Sequence, residues 1–558
     1  MRISWRIIGL LEFAGAFAAA QTTPQLSAVL NAASYVLPAL AGSGIAPGSM
    51  FIAFGSGLGP SQLQSAVPPL PKQLAETVVH VSGTGFEEDC YLFYTYATQV
   101  AGILPSRTPT GSVRVTVTYR GQTSSSVSVP VPPRQPGLLT RNQAGHGAAT
   151  LQNYNSAVDQ PVNSPALPAY PGQAAVLWGT GLGAIQADDG IIPPVGDLPN
   201  NAQIWLGGKT VKPLYAGRSS QFPAIDQINF LVPDGVEGCH VPLALYADGA
   251  VSNYTTMAVA AKGKTCADPT YIAAQDTATA IQKSQLRVGV INLGRVRSAV
   301  SSGVTGPAAS DAVTGEFLNR TLNELHAGAG GIDIYSSIGS CYLYPLRAHD
   351  KTEWFPFDVM NTIPLDAGQN LTVAGARGVK TIALTSKGSY AATLGSQDAA
   401  GQGTLFLEPG DYTVDNGGGG SDVGGFRASI KIPSPITWTN QASYAATVSR
   451  STNVRIDWSG GDPAREFVFI SGASMDAVSN VMRGFLCTAK ADAHTFVIPV
   501  NLLSYLPRGQ APSGVSIPTG VLSVGTLPLP ETVRFTAAGL DAGYIFYTSQ
   551  SLQQTQYQ

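Results

Sequence analysis

The sequence predicts an all-β protein made of tandem β-sandwich modules with little helix. Its composition supports this, because 62 of the 558 residues are glycine and 39 are proline, whereas only 12% are charged. Such a chain is typical of short strands joined by turns. Two further observations agree with this: apolar and polar residues alternate in many short segments, and the first half of the chain contains an internal duplication.

The alternation is clear in the segment "SVRVTVTY" (112–119), which places Val113, Val115 and Val117 on one face. The segment "HVPLALYA" (240–247) has the same pattern. A period of two over this length indicates half-buried strands. A glycine-containing turn follows each segment, and strands repeated at about ten-residue spacing are typical of a sandwich of two sheets.

The duplication consists of two blocks that recur in the same order. "PGSMFIAFGSGLGP" begins at Pro47 and "PGQAAVLWGTGLGA" at Pro171, an offset of 171 − 47 = 124 residues. A second block begins at Gln99 and recurs at Gln227, an offset of 227 − 99 = 128 residues. The later copy therefore carries about four extra residues in its middle, and the chain contains two copies of one module.

The glycine-rich stretch of each copy invites comparison with a phosphate-binding loop. A dinucleotide-binding loop needs G-x-G-x-x-G at the start of a helix, and a P-loop needs Gly-Lys-Ser/Thr. Neither pattern is present. We therefore expect both stretches to be tight corners, with Leu58 and Leu182 filling the end of each core. The predicted corner residues are Gly55, Gly57, Gly59, Gly179, Gly181 and Gly183.

The N-terminus has the pattern of a secretory signal peptide. Arg2 and Arg6 precede an apolar stretch that ends in "AAA" (18–20), a cleavage site of small residues. An uncleaved membrane anchor is the alternative, although the segment is short for a spanning helix. We expect a protein that is secreted or held at the cell surface or in the periplasm, where disulfides form.

The chain has five cysteines and no C-x-x-C motif. Cys239 and Cys266 bracket a predicted strand pair and make the best disulfide candidate. Cys341 and Cys487 are far apart in sequence, so they either bridge two modules or remain buried thiols. Cys90 has no assigned partner, and the sequence does not fix the connectivity.

We expect six segments along the chain. They are the signal peptide (1–20), a first sandwich (21–132), a second sandwich (133–268), a linker or short helix (269–285), a third sandwich (286–430) and a fourth sandwich (431–558).

The stretch "LNAASYVLPALAGSGIAPGSMFIAFGSGLGP" (30–60) and its second copy resemble the immunoglobulin-like TIG/IPT domains. Together with "DQINFLVPDGVEGCHVPLALYADGAVSNYTTMAV" and "GKTCADP" (263–269), they more specifically resemble the acidobacterial, Solibacter-type secreted proteins of unknown function. The resemblance is specific over residues 30–269 and looser beyond them. It implies export and tandem immunoglobulin-like sandwiches, and it implies no established activity. In the first copy, "FEEDCYLFYTYAT" has no obvious counterpart.

Two groups of side chains are candidates for ligand binding. An acidic loop carries Asp411, Asp415 and Asp422, whose oxygens suit calcium, although the spacing matches no calcium-loop motif and a solvated hairpin is the alternative. Two aromatic clusters contain Tyr94 and Trp354. Their rings are candidates for stacking on sugars, and burial in a core is the alternative.

The sequence favours an exported, non-enzymatic protein of cell-surface structure, adhesion or binding, without a cofactor. No catalytic motif surrounds any of the six histidines. The net charge is −3 and no basic run occurs, which argues against nucleic-acid binding. The expected partner is an extracellular protein or glycan. The alternative function is a secreted carbohydrate-binding protein or an accessory module of a polysaccharide-degrading system, and a hydrolase with paired carboxylates in residues 286–558 is a third hypothesis.

Overall fold

The computed structural model describes residues 23–198, 201–267, 272–299, 308–321, 338–346, 363–511, 513–514 and 518–558. Strands dominate these residues, so the predicted all-β class is confirmed. The predicted signal peptide (1–20) lies outside the described residues. The described α-helices are α1 (Ala274–Lys283) and α2 (Val500–Leu503). Short 3-10 helices cover Gln441–Tyr444, Ala491–Ala493 and Pro530–Thr532.

The first sandwich packs two antiparallel sheets face to face. One sheet has the order β1-β2-β7-β6-β3, and the other has the order β10-β8-β4-β5 with β9 beside β8. Val113, Val115 and Val117 all point into the core between them, as the alternation predicts. The strands are β1 (Gln25–Asn31), β2 (Met50–Ser56), β3 (Gln64–Ser65), β4 (Thr77–Gly83), β5 (Phe86–Asp89), β6 (Tyr91–Thr95), β7 (Gln99–Ile103), β8 (Gly111–Tyr119), β9 (Gln122–Thr123) and β10 (Val127–Val131).

The second sandwich repeats this topology. Its sheets have the orders β11-β13-β17-β16 and β15-β14-β18-β19, with β12 beside β13 and β20 beside β18. The sequence "FEEDCYLFYTYAT" forms β5 and β6, which occupy the places of β15 and β16 and so have counterparts in the fold. The strands are β11 (Gly137–Leu138), β12 (Leu151–Tyr154), β13 (Ala174–Thr180), β14 (Gln203–Leu206), β15 (Lys209–Val211), β16 (Tyr215–Arg218), β17 (Asp226–Leu231), β18 (Gly238–Ala247), β19 (Ala250–Val251) and β20 (Thr255–Val259).

The two cores fill one equivalent position in opposite ways. In the first sandwich Phe51 on β2 lies opposite Gly102 on β7. In the second sandwich the equivalent residues are Ala175 on β13 and Phe230 on β17. A Cβ on Gly102 would lie 2.8 Å from the carbonyl oxygen of Tyr91 and 2.9 Å from Cζ of Phe51, so the backbone and the ring together occupy the space that a side chain would need. Each copy therefore keeps one large and one small residue in this layer, which preserves packing density.

A buried ion pair joins the first two sandwiches. Arg218 at the end of β16 is 2% exposed and pairs with Asp226 at the start of β17. Nη2 of Arg218 also donates to the carbonyl oxygens of Gly48, at 2.7 Å, and Gly183. Because Gly48 belongs to the first sandwich and the other residues to the second, the guanidinium ties the two modules together. Both charges are compensated by hydrogen bonds, without which burial would be costly.

The glycine-rich stretch of the second copy lies at this joint. Gly181 has φ of +111°, and a Cβ there would overlap the carbonyl oxygen of Gln135. A Cβ on Gly48 would lie 2.6 Å from Nη2 of Arg218. Leu58 and Leu182 are fully buried, as predicted. The other corner glycines also have positive φ or lack room for a side chain, and they are Gly55, Gly57, Gly59, Gly179 and Gly183.

The C-terminal half contains one extended sheet of 16 strands and a small sheet of three. The order of the large sheet is β23-β35-β34-β37-β39-β21-β22-β27-β26-β25-β29-β30, with β24, β28, β32 and β38 beside it. The small sheet has the order β31-β33-β36. The strands are β21 (Gln285–Ala299), β22 (Ala309–Thr321), β23 (Cys341–Leu346), β24 (Ile363–Pro364), β25 (Asn370–Gly375), β26 (Gly378–Ser386), β27 (Ser389–Gln397), β28 (Gly403–Thr404), β29 (Gly410–Asp415), β30 (Arg427–Ile432), β31 (Thr437–Trp438), β32 (Thr447–Val448), β33 (Val454–Ser459), β34 (Glu466–Asp476), β35 (Val481–Lys490), β36 (Thr495–Ile498), β37 (Gly520–Pro528), β38 (Arg534–Phe535) and β39 (Ala542–Tyr557).

Residues 286–430 and 431–558, which the sequence separates, share this large sheet. The last strand, β39, pairs in parallel with β21 and antiparallel with β37. Its side chains enter two cores, because Ile545 and Tyr547 pack with β22 to β30 whereas Tyr557 packs with β33 to β37. The two ranges are therefore joined by continuous backbone hydrogen bonding.

Two further connections stiffen the chain. Helix α1 falls in the predicted linker and is fixed by the buried Asp276, which accepts hydrogen bonds from Tyr544 and, at 2.6 Å, from Arg534. The structure also contains both disulfides that the sequence put forward, Cys239–Cys266 and Cys341–Cys487. The second one joins directly opposed residues of β23 and β35. Cys90 is buried and belongs to neither bridge.

We predict that the large and small residues of the first core are coupled. Phe51→Ala should destabilise the protein by about 3–5 kcal/mol by opening a cavity, and Gly102→Phe should destabilise it by overpacking. The double variant imitates the second copy and should lose less stability than the sum of the two single losses. Urea denaturation of all four proteins measures this coupling. Strictly additive losses would contradict the compensation.

We also predict that removing the buried cation at the joint is costly. Arg218→Met leaves Asp226 buried without its partner and should lower the free energy of unfolding by about 3–5 kcal/mol. Arg120→Met is the matched control, because it removes an exposed ion pair with Glu76, and it should cost under about 1 kcal/mol. Chemical denaturation of the full chain measures both, and similar small losses would show that the buried pair does not hold the joint.

Candidate functional site

An open cleft lies between the second sandwich and the C-terminal half. Its volume is about 310 Å³, within the usual range of small-molecule sites, roughly 300–1,000 Å³. One wall is the hairpin of β14 and β15, and the other combines residues 339–341 with residues 496–501. We call it the aromatic cleft, lined by Trp205, Gly207, Gly208, Lys209, Thr210, Pro242, Tyr254, Gly339, Ser340, Cys341, Phe496, Val497, Pro499 and Asn501.

Aromatic rings from distant parts of the chain meet in this cleft. Trp205 on β14 is partly buried and stacks on Tyr246, with ring centroids 5.7 Å apart and an interplanar angle of 20°. Phe496 on β36 is partly buried on the opposite wall. Tyr254 is buried and meets Tyr342 edge to face, with centroids 6.3 Å apart. The cleft therefore offers flat apolar faces that are held from behind by other rings.

Polar groups stand beside these rings. Nζ of Lys209 donates to the carbonyl oxygen of Asp234 at 2.6 Å, which holds the ammonium group near the mouth. The side-chain oxygen of Asn501 is buried and has no hydrogen-bond partner in the described part of the chain. A buried amide oxygen without a partner is costly, so a ligand that donates a hydrogen bond to it would be favoured.

Tight local structure fixes both walls. Gly207 and Gly208 form the β14–β15 turn with φ of +54° and +80°, a conformation that favours glycine. The opposite wall is held by the Cys341–Cys487 disulfide and by the hydrogen bond from the Gly339 amide to the Thr488 carbonyl at 2.8 Å. The walls of the cleft are thus held by β-strands and by a disulfide. Few side chains or loops would have to become ordered when a ligand binds.

The described lining of the cleft provides groups for stacking and hydrogen bonding. A glycoside hydrolase uses a pair of carboxyl groups that flank the scissile bond. The described residues that line the cleft include no aspartate or glutamate. The lining provides aromatic faces for stacking. It also provides hydrogen-bonding groups, namely the amide of Asn501, the hydroxyl of Thr210 and the ammonium group of Lys209.

Of the two residues proposed from sequence as ligand contacts, Tyr94 lies away from the aromatic cleft. Tyr94 on β6 is partly buried against the outer face of β1 and β2, and its hydroxyl donates to Gln99 Oε1 at 3.2 Å. Burial raises the pKa of Tyr94 to about 12. Trp354 lies outside the described residues.

The three acidic residues considered for calcium do not gather into a metal site. Asp411 lies exposed on β29, whereas Asp415 accepts the Gly417 amide in the turn after that strand. Asp422 accepts the Asp366 amide at 2.9 Å and pairs with Lys387. Among the residues that the structure describes, no group of three or more His, Cys, Asp or Glu side chains is placed to hold a metal ion.

Sequence reasoning missed Trp205, Phe496 and Asn501. Each stands in a short strand or loop without a motif, and residues 205 and 496 come together only through the packing of separate modules. The one local indication was a tryptophan on an otherwise apolar strand, next to a Gly-Gly turn.

Comparisons with known proteins add little to this geometry. No protein-family model matches the chain. No curated protein matches it either. Solved structures that resemble it include the following three. The plexin A4 extracellular region is 14% identical, over 45% of this chain and 19% of that one, with a TM-score of 0.15. Sidekick-1 immunoglobulin domains 1–4 are 11% identical, over 92% and 95%, with a TM-score of 0.12.

The surface layer protein SbsC, domains 4–9, is 12% identical, over 94% of this chain and 82% of that one, with a TM-score of 0.16. This chain spans less than two thirds of the length of the plexin structure. At such TM-scores the similarities carry no argument about module arrangement or activity, so the class of tandem immunoglobulin-like sandwiches rests on the strands themselves. Within the described segments, no helix is both long enough and apolar enough to cross a membrane.

Proposed function

We propose that this chain is an exported, non-enzymatic protein that acts by binding at the cell surface, and that the aromatic cleft binds a glycan. The observation that carries the proposal is that Trp205 and Phe496, from separate parts of the chain, both line a cleft of about 310 Å³. The signal-peptide pattern and two disulfides support an oxidising compartment outside the cytoplasm.

A glycan fits this cleft better than a charged or wholly apolar ligand. Sugar rings present apolar C–H faces that pack on aromatic rings, and their hydroxyls both donate and accept hydrogen bonds. Asn501 supplies an unpartnered acceptor, whereas Lys209 and Thr210 supply donors at the mouth. The absence of lining carboxylates among the described residues gives no support to hydrolysis of the bound sugar.

A second candidate is a rigid structural protein of the cell surface. The buried Arg218 joint and the strand β39, which belongs to two cores, favour this, because both resist bending between modules. A spacer of this kind needs no ligand in the cleft. Binding measurements therefore distinguish the two candidates.

We predict that the purified mature chain binds a subset of neutral oligosaccharides on a glycan array. Trp205→Ala and Phe496→Ala should each weaken that binding by about tenfold, because each removes one stacking face. Tyr154→Ala is the matched control, since it removes a 41% exposed ring far from the cleft. Calorimetry with the best array ligand measures the affinities, with circular dichroism confirming that each variant is folded.

Two results would contradict the glycan proposal. One is an array without binding by the wild-type chain, which would favour the rigid surface protein. The other is binding that Trp205→Ala and Phe496→Ala leave unchanged, which would place the glycan site outside the aromatic cleft.

A further inference from the structure

A second cavity lies where three parts of the chain meet. It is enclosed by residues 34–42 of the first sandwich, residues 251–254 of the second sandwich, and Arg483 and Tyr505 of the C-terminal half. Its volume is about 60 Å³, space for a few water-sized groups when one water needs roughly 10–15 Å³ by the same measure. We call it the junction pocket.

Arg483 is a buried cation that has no carboxylate partner among the described residues. Its side chain is 4% exposed, and no ion pair joins it to any described residue. It makes two hydrogen bonds, both from Nη1, to the carbonyl oxygens of Ala41 at 2.9 Å and Tyr505 at 3.1 Å. A guanidinium carries five N–H donors, so the Nε and Nη2 donors remain without a partner among the described residues.

The charge of Arg483 persists at neutral pH. Burial lowers its pKa to about 10, which still leaves the guanidinium protonated in ordinary buffers. A buried charge without a counter-ion is unfavourable. Two other buried arginines of this fold do have a counter-ion. Arg218 and Arg295 are also deeply buried, and each forms an ion pair with an aspartate.

Ser34 supplies a second unpartnered donor in the same pocket. It is 7% exposed, and its hydroxyl oxygen is buried without a hydrogen-bond partner in the described structure. Its backbone is held in place, because its amide donates to the side chain of Asn31 at 3.1 Å. The backbone of Ser34 is therefore held in place in the wall of the pocket.

The rest of the lining is largely apolar. Val36, Leu37 and Leu40 come from the first sandwich, Val251 from the second, and Leu343 from the strand that carries the disulfide. A hydrated inorganic anion would place charge and water against these apolar side chains, which is unfavourable. An anion with a short hydrocarbon tail would cover them and gain from the burial.

We propose that the junction pocket binds a short-chain carboxylate, whose oxygens accept hydrogen bonds from Arg483 and Ser34 and whose alkyl tail packs on the leucines. A carboxylate matches the planar donor fork of arginine. Because the pocket draws on all three parts of the chain, the bound carboxylate would also hold these parts together. This inference does not depend on glycan binding in the aromatic cleft.

The test uses the full mature chain and isothermal titration with acetate, butyrate, butyramide and inorganic phosphate. We expect butyrate to bind more tightly than acetate, and butyramide, which has the same shape without the charge, to bind at least about tenfold more weakly. Butyrate should also raise the melting temperature of the protein. Tighter binding of phosphate than of butyrate, or equal binding of butyrate and butyramide, would overturn the proposal.

Two variants and a control assign the site. Ser34→Ala removes only an unpartnered hydroxyl, so it should fold normally and bind butyrate about tenfold more weakly. Arg483→Gln should abolish binding, and Arg508→Gln, which neutralises an exposed arginine three residues after Tyr505, should leave it unchanged. If folded Ser34→Ala binds butyrate as well as the wild type does, the pocket is not the carboxylate site. Glycan binding should be unaffected in Ser34→Ala, which separates this test from that of the proposed function.

Discussion

The contact between the first two modules contains a buried ion pair, Arg218 with Asp226. Its origin is visible in the duplication. In the first sandwich the amide of Leu58 in the glycine-rich corner donates to the carbonyl oxygen of Ala97. In the second sandwich the equivalent amide, that of Leu182, donates to the carboxylate of Asp226. A buried carboxylate needs a cation, and Arg218 supplies it while reaching across to Gly48 of the first module. Both copies thus contain the same glycine-rich turn, and in the second copy that turn forms part of the contact between the two modules.

This constraint limits how the rest of the chain can move. The second sandwich is joined to the first by Arg218 and by hydrogen bonds such as those from Ser106 to Asp189. It also contributes Val251 and Tyr254 to a core of the C-terminal half. The C-terminal half is itself bound into one sheet by β39. Both candidate ligand sites lie at such junctions between modules. Sites assembled from several rigid modules are pre-organised, whereas loops at the free ends of sandwiches would have to be ordered on binding.

The sequence predicts the local features of this fold and misses the long-range ones. Alternation over residues 112–119 places Val113, Val115 and Val117 correctly, because strand period is a local property. The corner leucines follow from the duplicated motif for the same reason. The pairing of β39 with β21 joins residues about 250 positions apart, and no short pattern encodes such a partner. For this reason residues 286–430 and 431–558 read as separate sandwiches and yet share a sheet.

The same reasoning explains why the candidate site was hidden. Tyr94 stood out because aromatic residues cluster around it in sequence, but that cluster lies on one strand, β6, which places alternate side chains on opposite faces. Trp205, Phe496 and Asn501 each stand alone in sequence and converge only where the second sandwich packs against the C-terminal half. Arg483 is similar, since a single arginine in an apolar strand is unremarkable until its neighbours prove to include no carboxylate among the described residues. In a chain with only 12% charged residues, a charge that the fold buries without a partner is therefore the more informative sign of a ligand than a cluster of aromatic residues.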